Sequence, residues 1–319
     1  MRKIILDGDP GHDDVIAFLM ALGNADQLDV IGFTTVAGNS TADNCTANIL
    51  KIMDYLGVSI PVATGYTAPL CREFDPTVQF HGATGLDGAS AYPPAHSRPV
   101  PGHAIEFLKE TILSSEEQIT LVTMGPLTNI AILLKTFPMV KEKIAEIVLM
   151  GGSYASGNAL PKAEYNIYAD PEAAKIVFDS GVHLVLATIE ACYSCGILLS
   201  EQESLKEGGT VSRLVYDILK YYSRYAITNG WDRTAIFDMT TILYLVRPEI
   251  FTWKDMRVDI ELTGTYTRGM TVCDDRGPTY IANPENPKRV LLHADRDQAA
   301  DFFLTTLKKL DERYGKADS

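Results

Sequence analysis

The chain has 319 residues, of which 46% are hydrophobic and 22% charged, and its formal net charge at pH 7 is −13. This is the composition of a globular protein with a sizeable core, and its acidity argues against nucleic acid or an anionic membrane surface as a partner. The N-terminus leads directly into a strand-like run and no stretch of 18 apolar residues occurs, so we expect a cytoplasmic protein.

Strand-like and helix-like segments alternate along the first part of the chain. Short runs rich in β-branched residues predict strands at residues 3–6, 28–36, 119–124, 144–150 and 183–188. Amphipathic segments predict helices at residues 15–22, 42–56, 127–137 and 171–181. This alternation indicates βαβ units, so we predict an α/β fold with an open, mostly parallel sheet and helices on both faces.

The second half of the chain has a different pattern. Helices are predicted at residues 211–227 and 237–246, a hairpin-like pair of strands at 256–266 and 268–277, and a strand followed by a helix within 289–310. No linker, repeat or low-complexity run divides the chain. We therefore predict one large domain over residues 1–319.

Four aspartates, Asp7, Asp9, Asp13 and Asp14, lie within eight positions directly after the first predicted strand. One alternative is a solvated turn in which aspartate caps the following helix. Four crowded carboxylates at the end of a buried strand, however, repel one another unless a cation binds them. Ligands bind beyond the carboxyl ends of the strands in such sheets, and an all-oxygen site favours Ca²⁺ or Mg²⁺ over zinc.

Two further features leave alternatives open. Asp238 follows an apolar run and begins a predicted helix, so it is either a third acidic metal ligand or a helix N-cap. Cys192 and Cys195 have the CxxC spacing of a redox pair or half a zinc site, but no second such pair accompanies them, and a structural role is favoured. The odd total of five cysteines fits a reducing compartment.

Six motifs in this order, DGDPGHDD, VAGN, HGATGLDG, MGPLTN, GGSYASGN and AEYNIYADPEAA, resemble the inosine-uridine nucleoside hydrolase family, most closely its members with pyrimidine preference. The resemblance extends from about residue 3 to the final helix. It implies a nucleoside hydrolase-like fold and Ca²⁺-dependent hydrolysis of the N-glycosidic bond of small-molecule ribonucleosides to free base and ribose. It also implies a homodimer or homotetramer.

The resemblance also assigns site residues. Ca²⁺ would be bound by Asp9, Asp14, Asp238 and the backbone carbonyl of Met124. Asp9 would in addition act as general base on a water bound to Ca²⁺, which attacks C1′ of the ribose. The ribose hydroxyls would be bound by Asp13, Asn39, Asn158, Glu164 and Asn166. Such a site suits N-glycoside cleavage, because an oxocarbenium-like transition state needs an activated water and nearby negative charge.

One position departs from the family pattern. Many members have a histidine directly before the third metal-binding aspartate, where it protonates the leaving base, and here that residue is Phe237. Either another residue activates the leaving group or the enzyme prefers bases that leave with help from stacking and solvent. His81 has the best claim among the histidines to approach the substrate, whereas His12 is either a supporting residue or simply solvated.

An aromatic-rich segment precedes this position. It contains Tyr216, Tyr221, Tyr222, Tyr225 and Trp231. Helical spacing places Tyr221 and Tyr225 on one face, so both rings are expected on the same wall of a pocket. Core packing is the alternative for each ring singly, but we expect at least one to contact the base.

Two other functions are alternatives. A haloacid-dehalogenase-like phosphatase also begins with Asp-x-Asp after a strand, but it would need a Gly-Thr type continuation and a downstream lysine, and no glycine-rich phosphate loop is present. A non-catalytic nucleoside- or sugar-binding protein would explain Phe237, but the intact aspartates argue against it.

Overall fold

The computed structural model describes residues 1–277 and 286–315, and nine strands in these ranges form one sheet. In chain order they are β1 (Arg2–Gly8), β2 (Leu28–Thr35), β3 (Val62–Thr64), β4 (Ile119–Thr123), β5 (Ile144–Met150), β6 (Leu184–Ala187), β9 (Phe251–Ile260), β10 (Thr271–Asp274) and β11 (Lys288–Ala294). Two short strands, β7 (Ile197–Leu198) and β8 (Arg233–Thr234), pair antiparallel outside this sheet.

The order across the sheet is β10-β9-β11-β6-β5-β4-β1-β2-β3. All neighbours from β11 to β3 are parallel, and β9 and β10 extend the sheet antiparallel. The predicted mostly parallel sheet is therefore confirmed. Because β1, β2, β4 and β5 run in the same direction, their carboxyl ends meet at one edge of the sheet.

Thirteen α-helices lie in the described ranges. They are α1 (His12–Gly23), α2 (Ala42–Leu56), α3 (Val78–His81), α4 (Ala104–Ser114), α5 (Thr128–Thr136), α6 (Tyr165–Ala169), α7 (Pro171–Phe178), α8 (Ile189–Ser194), α9 (Leu199–Ser204), α10 (Thr210–Tyr222), α11 (Arg224–Thr228), α12 (Met239–Val246) and α13 (Arg296–Tyr314). Short 3₁₀ turns lie at Ala89–Ala91, Pro138–Lys143, Leu205–Glu207 and Pro248–Ile250.

Each face of the sheet is covered by its own apolar core. Ile4 and Leu6 of β1 pack into a core with α1, α2, α10, α12 and α13. Ile5, whose side chain points to the opposite face, packs into a core with α4, α5 and α7. Helices on both faces are therefore confirmed, and the described residues form a single α/β domain. The predicted domain also includes residues 278–285 and 316–319, which lie outside the described residues.

One predicted helix is divided in the structure. The pattern predicts a helix over residues 211–227, but α10 ends at Tyr222 and α11 begins at Arg224. Ser223 between them donates a hydrogen bond to Oε1 of Gln202 at 2.6 Å and accepts one from Thr234 at 2.8 Å. The hydrophobic periodicity of the segment could not predict this break, because the partners of Ser223 lie outside the segment.

The described residues contain no helix that is both long and apolar enough to cross a membrane.

The predicted hairpin is present as β9 and β10, although β9 begins earlier than predicted, at Phe251.

Candidate active site

The turn after β1 brings two aspartates together at the edge of the sheet. The backbone N–H of Asp9 donates to Oδ1 of Asp14 at 3.1 Å, and that of Gly11 donates to Oδ2 of Asp14 at 3.0 Å. The first turn of α1 is therefore tied to the end of the strand by the Asp14 carboxylate. Asp7 lies in β1, two residues before Asp9. Its carboxylate accepts hydrogen bonds from the side chains of Thr34 and Asn129 and so stabilises the end of the strand.

Three buried carboxylates cluster beside this turn. Asp13, Asp14 and Asp238 each place a carboxylate oxygen within 4.8 Å of the other two. Asp238 occupies the N-cap position of α12, but its side chain makes no capping hydrogen bond. Its carboxylate belongs to the acidic cluster instead, and Asp13 is in this cluster where the sequence analysis placed Asp9.

Asp9 is fully buried and fixed on one side. Its Oδ2 accepts a hydrogen bond of 2.6 Å from the backbone N–H of Asn39, whereas its Oδ1 is buried without a partner. A Cβ atom on Gly38 would lie 2.0 Å from Oδ2, and one on Gly125 would lie 2.6 Å from Oδ1. The Asp9 carboxylate therefore fits only because glycine stands at both positions.

In the part of the chain that the structure describes, no cationic side chain compensates these carboxylates. No lysine or arginine of the described residues forms an ion pair with Asp9, Asp13, Asp14 or Asp238. Burial, reinforced by the charge of Asp13, raises the pKa of Asp14 to about 8. Burial and then the charges of Asp13 and Asp14 raise the pKa of Asp238 well above its usual range. Uncompensated buried carboxylates of this kind fit a hard cation.

The other predicted metal ligand and one predicted ribose ligand meet at the end of β4. The backbone carbonyl of Met124 accepts a hydrogen bond of 3.0 Å from the side-chain amide of Asn166, which also donates to the carbonyl of Met150 at 3.1 Å. A carbonyl oxygen has two lone pairs, so Met124 retains one for a ligand.

Two more predicted ribose ligands lie on the segment after β5. Glu164 is buried and caps α6, accepting hydrogen bonds from the backbone N–H groups of Gly152, Asn166 and Ile167. Burial raises the pKa of Glu164 to about 7. Asn158 is exposed, and its Oδ1 accepts a hydrogen bond from the backbone N–H of Tyr165 at 2.9 Å.

These side chains surround a cavity of about 420 Å³. The predicted site residues on its wall are Asp13, Asn39, His81, Met124, Asn158, Glu164, Asn166, Phe237 and Asp238. Asp9 and Asp14 do not line the cavity and lie behind Asn39, whose amide nitrogen donates weakly to Oδ2 of Asp14 at 3.4 Å. The sequence motifs, which are far apart in the chain, therefore converge on one cavity.

Two buried histidines form a directional pair beside the cavity. Nε2 of His12 lies 2.7 Å from the carbonyl oxygen of Asp87, which only accepts, so this nitrogen has the hydrogen. Burial lowers the pKa of both His12 and His81 to about 3, so both rings are neutral at pH 7. Nδ1 of His12 then accepts from Nδ1 of His81 at 3.2 Å, and Nε2 of His81 is left without a hydrogen.

Aromatic rings form the remaining wall of the cavity. They are Phe80, Tyr165, Tyr168, Tyr193, Tyr222, Tyr225, Trp231 and Phe237. The expectation that Tyr221 and Tyr225 share this wall is wrong, because the chain breaks between α10 and α11 and Tyr221 stacks on His12 instead. Four of these rings were missed, namely Phe80, Tyr165, Tyr168 and Tyr193, although Phe80 and Tyr165 adjoin residues that were predicted.

The CxxC pair is structural. Cys192 and Cys195 are buried free thiols, and Cys192 donates to the carbonyl of Phe237 at 3.5 Å. Cys195 contacts the hydroxyl of Thr240 at 3.4 Å. Neither belongs to the acidic cluster found among the described residues.

A parallel sheet covered on both faces, with buried carboxylates and amides around a cavity at its carboxyl edge, defines an enzyme that acts on a small hydroxylated molecule. The family model of the inosine-uridine preferring nucleoside hydrolases matches residues 4–301, and the chain belongs to this family. Enzymes of this family are metal-dependent ribonucleoside N-ribohydrolases, and the resemblance seen in the motifs is confirmed.

Individual relatives match over nearly the whole chain. The chain is 38% identical to the pyrimidine-specific ribonucleoside hydrolase RihA of Escherichia coli O127:H6 over 96% of this chain and 98% of that protein. Among solved structures, a purine-preferring ribonucleoside hydrolase from Gardnerella vaginalis superimposes with a TM-score of 0.90 at 27% identity, covering 98% of this chain and all of that one. The plant nucleoside hydrolase PpNRh1 gives a TM-score of 0.90 at 29% identity, over 96% of this chain and 99% of that one. These matches support a ribonucleoside hydrolase rather than the phosphatase or the non-catalytic binding protein.

Proposed function

We propose that the chain hydrolyses ribonucleosides with Ca²⁺ as its cofactor and Asp9 as the general base. The observation that supports this most directly is Oδ1 of Asp9, a buried carboxylate oxygen without a partner, next to the cluster of Asp13, Asp14 and Asp238. A buried carboxylate oxygen left unpaired is costly, so its retention points to a ligand or to chemistry.

The donor set fits a calcium ion. Asp9, Asp14, Asp238 and the free lone pair of the Met124 carbonyl would bind it, and all of these donors are oxygens, which Ca²⁺ prefers. The bound ion would supply positive charge that offsets the buried carboxylates and lowers the pKa of a nearby water.

The protein's own groups then have separate tasks. Asp9 would accept the proton of the attacking water at Oδ1, while the N–H of Asn39 holds Oδ2 in place. The ribose hydroxyls would contact side chains on the cavity wall, namely Asp13, Asn39, Asn158, Glu164 and Asn166. Negative charge beside the sugar would favour the oxocarbenium-like transition state.

The base would lie against the aromatic wall. The rings of Phe237 and Tyr193 contact each other edge to face, with centroids 5.4 Å apart, and both line the cavity, where a planar base would pack against them. His81, which lines the cavity and whose Nε2 is left without a hydrogen, would accept a hydrogen bond from the substrate. Assembly as a homodimer or homotetramer and location in the cytoplasm stay predictions; the free thiols of the described cysteines fit a reducing compartment.

A panel of purine and pyrimidine ribonucleosides tests this function with Asp9→Asn and with the exposed matched control Asp43→Asn. We expect kcat of Asp9→Asn to fall by about 10²–10⁴-fold, the usual contribution of a general base, and Asp43→Asn to behave as wild type. Chelation should abolish activity and added Ca²⁺ should restore it. Near-normal turnover by Asp9→Asn would disprove the role of Asp9 as general base. Full activity after chelation would disprove the role of Ca²⁺ as cofactor.

A further inference from the structure

The loop that follows β5 brings Asn158 to the wall of the cavity. Asn158 itself is exposed, and its own hydrogen bonds reach only the returning chain, at Ala163 and Tyr165. Gly157 packs directly on that return, since a Cβ atom there would lie 2.2 Å from the carbonyl oxygen of Leu160. The returning chain thus holds one side of Asn158, and the residues that precede Asn158 set how the loop enters this contact.

The backbone N–H groups of those preceding residues are bound by one carboxylate from another element. Two side-chain contacts add to this, from Lys162 to the carbonyl of Ala155 at 2.7 Å and from the Tyr154 hydroxyl to Asp275 at 2.6 Å. Glu190, in the first turn of α8, accepts hydrogen bonds from three consecutive backbone N–H groups. Its Oε2 accepts from Tyr154 at 3.0 Å, and its Oε1 accepts from Ala155 at 2.8 Å and from Ser156 at 3.2 Å. Three N–H groups that converge on one anion give the loop a single conformation.

Helix capping does not account for this arrangement. The N-cap of α8 is Thr188, whose hydroxyl accepts from the N–H of Ala191. An acidic residue in the first turn of a helix is favourable near the helix dipole, but that effect does not require its oxygens to face a loop. Glu190 is absent from the described wall of the cavity, so its effect on a bound molecule would be indirect.

We propose that Glu190 is a positioning residue that orders residues 154–156 and thereby places the amide of Asn158 for the ribose. This inference rests on the proposed ribose contact of Asn158. Its physical basis is that a loop ordered in advance spends no binding free energy on ordering when the nucleoside arrives.

Glu190→Gln tests the inference, because an amide nitrogen cannot accept a hydrogen bond and at least one of the three contacts is lost. The cost of ordering the loop then falls equally on the bound substrate and the transition state, so KM should rise while kcat changes little. We expect a rise in KM of about tenfold, the effect of about one charge-assisted hydrogen bond. Glu261→Gln is the matched control, since Glu261 accepts from the N–H groups of Thr263 and Gly264 in another turn.

A double-mutant cycle separates positioning from a general effect on the fold. Asn158→Ala should raise KM, and Glu190→Gln should add nothing in that background if it acts only through Asn158. Amide hydrogen exchange at residues 154–156 should accelerate in Glu190→Gln while exchange in the central strands is unchanged.

Three results would overturn the inference. One is a wild-type KM for Glu190→Gln, and another is an equal effect of Glu190→Gln with and without Asn158. The third is an Asn158→Ala variant with unchanged KM in an enzyme that hydrolyses ribonucleosides, which would refute the positioning role and leave the hydrolase function intact.

Discussion

At the scale of single residues, Phe237 bears on how the base would leave in the proposed reaction. The centroid of its ring lies 5.4 Å from that of Tyr193, which in turn lies 6.0 Å from that of Trp231, so this side of the cavity is lined by three aromatic rings in contact. A phenyl ring stacks on a base but donates no proton. Hydrolysis should therefore depend strongly on the stability of the departing group.

Substitution of Phe237 by histidine tests this dependence. General-acid assistance contributes about 10²–10⁴-fold where it operates, so Phe237→His should accelerate uridine and inosine. The same change should have little effect on p-nitrophenyl riboside, whose leaving group needs no proton. Rates with the three substrates in wild type, Phe237→His and the non-ionising control Phe237→Gln measure the difference.

The pH profile gives an independent check on Phe237. Because burial lowers the pKa of His81 to about 3, His81 stays neutral between pH 5 and 8 and contributes no limb there. Wild type should therefore lack a limb that arises from an imidazole. Phe237→His should gain one near pH 6.5, the ordinary value of an imidazole, in addition to any limb from Glu164, whose pKa burial raises to about 7. If wild type cleaves the activated riboside no faster than uridine, another proton donor operates.

Asp13 should make the enzyme selective for ribose over 2′-deoxyribose. Its Oδ2 accepts a hydrogen bond of 3.0 Å from the Tyr222 hydroxyl, and its Oδ1 is buried without a partner. A substrate lacking the hydroxyl that pairs with this oxygen leaves it unsatisfied, at a cost of about 1–3 kcal/mol or more.

We therefore expect kcat/KM for 2′-deoxyuridine to be at least about tenfold below that for uridine. Asp13→Asn should lower kcat/KM for uridine and bring the ratio of kcat/KM for uridine to that for 2′-deoxyuridine closer to one. Equal rates for the two nucleosides in wild type would show that the unpaired oxygen does not contact that hydroxyl.

The acidic site was predictable from sequence only in part. Asp9, Asp13 and Asp14 follow a strand and Asp238 precedes a helix, and this placed all four near one edge of the sheet. Which of them share a cluster depends on how α1 packs against α12 in the common core, and no local pattern reports that packing. The same limit applies to Glu190, whose partners are backbone groups of a distant loop.

At the scale of elements, α10 is held by a side chain from the last helix. Oδ1 of Asp311 accepts hydrogen bonds from the N–H groups of Val211 and Ser212, at 2.7 and 3.0 Å, and Oδ2 accepts from Gly209 at 3.0 Å. The first N–H groups of a helix have no partner within it, so this carboxylate supplies what a local cap would supply elsewhere. Because α10 ends at Tyr222, this cap also supports the cavity wall.

Asp311→Ala should lower the free energy of unfolding by about 2 kcal/mol, the upper range for a helix cap. Denaturant unfolding measures the change, and Asp301→Ala, an exposed position on the same helix, is the control. Equal stabilities of the two variants would show that water replaces the carboxylate at no cost.

Most elements with a long, clear period were predicted from the sequence, but the eleven-residue helix α4 (Ala104–Ser114) was not. The parallel strands of the first half and helices α1, α2, α5 and α7 appear close to their expected positions. The three-residue strand β3 and the two-residue strands β7 and β8 were missed, because so few residues show no period. The break at Ser223 was missed because its partners, Gln202 and Thr234, are remote in sequence.

At the scale of the whole molecule, the chain has a formal net charge of −13, and the site buries several of the carboxylates that contribute to it. The two cores on either side of the sheet supply the apolar burial that permits this. Without a cation the buried carboxylates should oppose folding whenever they ionise. The dependence of stability on pH and on metal should therefore report on the site.

The sign of that dependence follows from Asp14. Its pKa is raised from 3.8 to about 8 by burial and then by the charge of Asp13, so the folded chain retains a proton that the unfolded chain releases. The resulting stability is fully present below about pH 4 and is lost as pH rises towards about 8, by up to about 1.4 kcal/mol per pH unit for one such group.

Bound Ca²⁺ should reverse this loss, because the ion replaces the proton as the partner of the carboxylates. In the presence of a chelator, the free energy of unfolding of wild type should fall between pH 5 and 8. With saturating Ca²⁺ it should fall less or not at all, so the gain from Ca²⁺ should be small at pH 5 and largest at pH 8. Asp238→Asn should lose most of this gain, whereas Asp43→Asn should keep it, and Mg²⁺ measured in parallel tests the identity of the ion. If Ca²⁺ added no stability at any pH, the acidic cluster would not be its binding site.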